Sequence, residues 1–149
     1  MNAMITKNFK KKNKKNKGFT LVELIIVIAI IAVLGVILAP QYIKYVDRSR
    51  WATDQNNAKT LLKEVQTAVV DVQEAGGALP STDATITMDK THDKVQGTDA
   101  LTDDLKTSLT NADANWEDVK VTNKGKADGA KTTFTITVKA DGQVTGKWN

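Results

Sequence analysis

The stretch that decides the fold begins Lys17-Gly18-Phe19-Thr20-Leu21-Val22-Glu23 and continues from Leu24 through Ala39, Pro40 and Ile43 without a charge. The next charge is Lys44. Positions 24–43 make 20 uncharged residues in a row, and a helix of that length spans about 30 Å, the thickness of a bilayer's hydrocarbon core. A buried helix in a soluble protein is the alternative, but the residues beyond Pro40 are too few to wrap so uniform a cylinder. The run therefore reads as a membrane span. Glu23 is its anomaly, because a carboxylate inside a span costs about 2.5–3.5 kcal/mol on insertion scales. No cation lies near it within the run.

Towards the N-terminus, seven lysines (Lys7, Lys10, Lys11, Lys12, Lys14, Lys15 and Lys17) crowd the first 18 residues, with no acid among them. They outnumber Lys44, Arg48 and Arg50 on the far side, so the positive-inside rule keeps the N-terminus in the cytoplasm and sends the rest outward. The formal net charge of +4 is thus a property of this head segment; downstream of it 14 basic side chains face 17 acidic ones. A basic-patch argument for nucleic acid applies only to the leader. An ordinary secretory signal would show a small-residue cleavage site after its apolar region, whereas Leu38-Ala39-Pro40-Gln41 runs on into helix-compatible sequence. Tyr42 and Tyr45 stand where interfacial aromatics lie, although helix-packing tyrosines fit equally.

Taken together, the basic leader, Gly18-Phe19, Glu23, the apolar run and Pro40 resemble the class III signal of type IV pilins and the related pseudopilins. The resemblance implies that a prepilin peptidase cuts between Gly18 and Phe19 and that the new terminus at Phe19 is N-methylated. It also implies that Glu23 serves assembly by neutralising the N-terminus of a neighbouring subunit. Cleavage creates an α-amino cation of pKa about 8, which gives Glu23 a partner. Gly35 and Pro40 weaken helical hydrogen bonding and permit a bend; the resemblance implies local unwinding between them in the filament, with a plain kink as the alternative. The partners implied are other copies of the chain in a helical filament, the peptidase, a membrane platform and an assembly ATPase.

Past the membrane, Leu61, Leu62, Val65, Ala68, Val69 and Val72 recur at spacings of three and four. Gly76-Gly77, reinforced by Pro80, supplies a stop. A helix from Phe19 to Ala75 would extend about 85 Å. Phe134, Ile136 and Val138 alternate with threonines, as in a half-buried strand. Val119 and Val121 mark a strand before it, Val144 and Trp148 one after, and Asp141-Gly142 a turn, so the pattern predicts an antiparallel meander. Asn123 to Gly129 reads as the polar connection, Leu101, Leu105 and Leu109 as a short helix, and residues 81–100 as loop with a short strand at Ile86 and Met88. The fold class is α+β: a leader (1–18), a membrane or filament-core helix (19–43), an amphipathic helix (44–77) and a head with an antiparallel sheet (78–149). The disulfide of many Gram-negative pilins is absent, so packing through Trp148 must hold the C-terminal region.

Catalysis is not expected. The chain has no cysteine and a single histidine, His92, and shows no Walker A motif, nucleophile elbow or acid-base pair. No cofactor and no metal site are assigned. Asp113, Asn115 and Glu117 place oxygens at alternate positions, but a calcium loop also needs a glycine and a distal glutamate, where Asp118 and Lys124 stand. A solvated acidic loop is the default, and His92 reads as a surface residue. Trp51, Trp116, Phe134 and Trp148 could stack on bases if exposed, yet such aromatics are more often core. A local patch of Lys120, Lys124, Lys126 and Lys131 is the one remaining route to nucleic acid, which is not expected as a partner.

The sequence thus leads to a single-pass precursor in the cytoplasmic membrane that becomes the structural subunit of a type IV pilus-like surface filament. A pseudopilin of a secretion or DNA-uptake system shares every residue of that argument. A binding module on an uncleaved anchor is the rival from another class; it leaves Glu23 without a partner.

Overall fold

The computed structural model describes residues 18–123 and 129–149. The leader lysines and most of the predicted connection between Asn123 and Gly129 lie outside these residues. Helix α1 spans Leu21–Glu74, 54 residues without a break. Strand β1 (Ala84–Asp89) follows, then a 3-10 turn at Thr98–Ala100, helix α2 (Asp103–Ala112), strand β2 (Thr133–Val138) and strand β3 (Val144–Trp148). This is the α+β fold of pilins: one long N-terminal helix and a small antiparallel sheet.

Helix α1 ends where its sequence says it must. Gly76 has φ +70°, the left-handed conformation that glycine adopts at least cost. The N–H of Gly77 donates to the Val72 carbonyl at 2.8 Å and that of Gly76 to the Gln73 carbonyl at 3.2 Å. That pair of bonds is a Schellman cap, which satisfies carbonyls the helix would otherwise leave open.

The sheet has the order β1-β2-β3, antiparallel throughout. Ala84 lies opposite Val138, Ile86 opposite Ile136 and Met88 opposite Phe134, while Val138 meets Val144 and Phe134 meets Trp148 on the other side. Period-two alternation puts all of these on one face. That face and the α1 stripe of Ala58, Leu61, Val65, Ala68, Val69 and Val72 belong to one core, completed by Leu105 and Leu109 of α2 and by Trp116. Thr102 caps α2, its hydroxyl accepting from the Leu105 N–H and donating to the Ala78 carbonyl at 2.7 Å.

The meander differs from expectation in its first member. The strand beside β2 is β1, which is the short strand expected at Ile86 and Met88 in a segment otherwise read as loop, and Val119 and Val121 form no strand. Their neighbourhood is diverted by Asp54 of α1, a fully buried carboxylate. Its Oδ1 accepts from the Thr122 N–H and hydroxyl, and its Oδ2 from the Asn123 N–H and side-chain amide, each at 2.8 Å. Backbone donors that a ladder would need are committed to a side chain, and Val121 instead fills the core. With no disulfide, the C-terminus is held by packing: Trp148 sits edge-on to Trp51 of α1 at 4.7 Å and against Phe134 at 5.0 Å. The strand can lie this close because Gly146 has no side chain; a Cβ there would come within 2.6 Å of the Phe134 ring.

Candidate processing and assembly site

Gly18, Phe19 and Thr20 precede α1 and are exposed, Phe19 at 91%. The first turn of the helix has no preceding turn to accept its N–H groups, so a side-chain acceptor is needed there. Thr20 and Glu23 supply it to each other. The Glu23 N–H donates to the Thr20 hydroxyl at 3.2 Å, and the Thr20 N–H and hydroxyl both donate to Glu23 Oε2 at 2.8 Å. This is a capping box, and its Thr-x-x-Glu spacing ahead of an apolar run was the signal that could have revealed it. It corrects the expectation that Glu23 lacks a partner within its own chain. Both bonds fall on Oε2.

Gly18 is not explained by the fold. Its φ is not positive, and a Cβ built on it would meet nothing within 4 Å. Gly35 likewise has open space around it. Pro40 lies inside the continuous helix, where it has no N–H to offer the Val36 carbonyl. Neither breaks α1 in the single chain.

Leu21–Glu74 contains an 18-residue window of mean hydropathy 3.3, none of it buried, and is the one helix among the described residues long and apolar enough to cross a membrane. Ile25, Ile28, Ile31, Leu34 and Leu38 are all at least half exposed. So are Tyr42 and Tyr45.

The other candidates fall elsewhere. His92 is exposed, its Nδ1 2.9 Å from an Asp89 oxygen. Burial opposes ionisation of Asp89, but hydrogen bonds from the His92 and Thr91 side chains and backbone outweigh it and hold the carboxyl down at about 2. Asp113 accepts from the Asn115 N–H, and the turns around it seat Trp116, 2% exposed. No three His, Asp or Glu side chains gather at a metal-binding distance among the described residues. The lysine patch does not form as a unit: Lys120 pairs with Asp93, Lys131 donates to the Trp148 carbonyl, and Lys124 and Lys126 lie outside the described residues.

Residues 13–39 match the family model for the prokaryotic N-terminal methylation motif. That motif is the signal of type IV pilins and pseudopilins, and the match covers the leader and the apolar start of α1, not the head. The motif is a structural-subunit signal, and with the apolar helix it fits a membrane-anchored precursor handled by a prepilin peptidase and assembled with other pilins. No curated protein and no solved structure matches the chain.

Proposed function

We propose that this protein is the structural subunit of a type IV pilus-like filament, cut between Gly18 and Phe19, N-methylated at Phe19 and withdrawn from the membrane into a helical fibre. The observation that carries the reading is the pairing of a glycine the fold does not need with an apolar half-helix that none of the described residues covers. A residue without a side chain at 18 suits an enzyme that must close on the backbone there. An uncovered cylinder of isoleucine and leucine is stable in lipid first and then among copies of itself.

Glu23 has two tasks in this scheme, and its two oxygens divide them. Oε2 keeps the Thr20 cap, which cutting before Phe19 leaves in place. Oε1 accepts from the α-amino cation of a neighbouring subunit, a charge-assisted bond that strengthens in apolar surroundings. The precursor sits in the cytoplasmic membrane with its lysines inside, and the head from residue 78 onward ends on the outer surface of the fibre. Gly35 and Pro40 mark where α1 loosens as subunits pack. Glu23→Ala is expected to be cleaved normally and to disappear from sheared surface material, read by N-terminal mass analysis of both fractions. Normal fibre yield from that variant would sink the assignment of Glu23.

A further inference from the structure

Between Lys44 and Lys63 the acids of α1 are turned inward: Asp47 and Asp54 are both buried. Its exposed charges over the same span are all basic, namely Lys44, Arg48, Lys59 and Lys63. At 3.6 residues per turn these four fall within an arc of about 100°, on the side away from the core stripe. None of them forms an ion pair among the described residues. Further along, α1 and α2 bound an open groove of about 630 Å³, into which Asp71 and Asp104 bring two carboxylates and no lysine or arginine enters. Asp104 accepts from the Ala78 N–H at 2.7 Å, and Asp71 is within 3.5 Å of the Ser108 hydroxyl.

We propose that the basic stripe of α1 docks in the acidic groove of a second copy of this chain. The inference rests on the filament reading and names the contact by which neighbouring heads are registered. The groove lies about 12–40 Å further along the axis of α1 than the stripe and on a different side of it. The two surfaces are therefore complementary to each other and not to themselves. Such a contact is heterologous, and when repeated without closure it generates an open helical array. Charge complementarity selects a second copy over other anions, because the chain carries its own acceptor at the fixed high local concentration of a fibre. The pairs are exposed, so they set register and weaken with salt.

The absence of cysteine allows a direct test. Lys59→Cys puts a thiol on the stripe, and Thr107→Cys puts one on the groove's exposed lining. Sheared fibres of the double variant, treated with a short bismaleimide, should give a ladder of dimers, trimers and higher multimers. Fibres of either single variant should give monomer. Loss of the ladder from fibres whose subunits begin at Phe19 overturns the docking and leaves the filament reading standing; dimers from a single variant overturn it too, since the contact would then be self-complementary. If the unsubstituted chain never appears as a processed fibre subunit, both readings fall. In parallel, Lys59→Glu with Lys63→Glu should lower fibre-bound subunit about fivefold or more, with Asp71→Lys in the same chain restoring part of it. Unchanged fibre yield together with lost binding to phosphatidylglycerol vesicles would assign the stripe to a lipid surface instead and overturn the proposal.

Discussion

Leu24, Ile28 and Ile31 in the first half of α1 are 60%, 55% and 62% exposed, whereas Leu61, Val65 and Val72 in the second are 1%, 0% and 4% exposed. The side chains are of one kind and the backbone is one helix. What differs is the pattern around them. In the second half, lysines, glutamines and threonines occupy the positions between the apolar ones, so a single stripe is left to cover, and the sheet covers it. The first half is apolar on every side, and no single domain face could satisfy it. Half of the helix is thus completed by folding, and the other half is left open for the lipid and the further copies of the proposed filament.

The sharpest way to break this contrast is at Gly18. Gly18→Val should abolish processing, leaving the lysine leader on the chain in every fraction, while the thermal melt of the head stays unchanged; mass analysis and circular dichroism read the two effects. A variant that is still cut would remove the argument built on the bare glycine. Next in size is Asp54→Ala, which takes the shared acceptor from the buried Asn123 and the exposed Thr122 and should cost about 2–5 kcal/mol in urea unfolding of the detergent-solubilised chain. In the same assay Leu61→Ala should cost about 2–5 kcal/mol, and Ile28→Ala, on the uncovered half, should leave the head's transition where it was. Equal losses from the two substitutions would erase the distinction between the halves.

The smallest effect is a pH dependence in the head. The Asp89 carboxyl is held at about 2 against an ordinary 3.8, so its stabilising contribution is complete above pH about 4 and is lost as pH falls towards 2. His92→Ala should raise the Asp89 pKa, followed by carboxyl NMR, and shift that loss to higher pH.

The fold was legible in the sequence wherever a periodicity had one owner. The three-and-four spacing of Leu61 to Val72, the Gly76-Gly77 stop and the alternation from Phe134 to Val138 each stand in the structure as the pattern implies. Strand β1 was harder, because Thr85, Thr87 and Asp89 surround Ile86 and Met88 with residues that also build loops, and its partner Ile136 lies far along the chain. Val119 and Val121 misled for the complementary reason: two β-branched residues satisfy a strand pattern, but the donors beside them answer to Asp54, whose role no local window contains. At the proposed processing site Gly18, Phe19 and Glu23 stood out through the motif. Thr20 did not, because it carries no charge to answer the Glu23 carboxylate, and only its Thr-x-x-Glu spacing marks it as a hydrogen-bonding partner.

The central claim is that the uncovered half of α1 is freed at Phe19 and then buried among copies of itself. Intact-mass and N-terminal analysis of the protein in sheared surface material, set beside the membrane fraction, tests it most directly. An abundant species beginning at N-methylated Phe19 in the sheared material is the expected result. A chain that keeps Lys7 to Lys17 in every fraction would contradict it and leave a head domain on a permanent anchor.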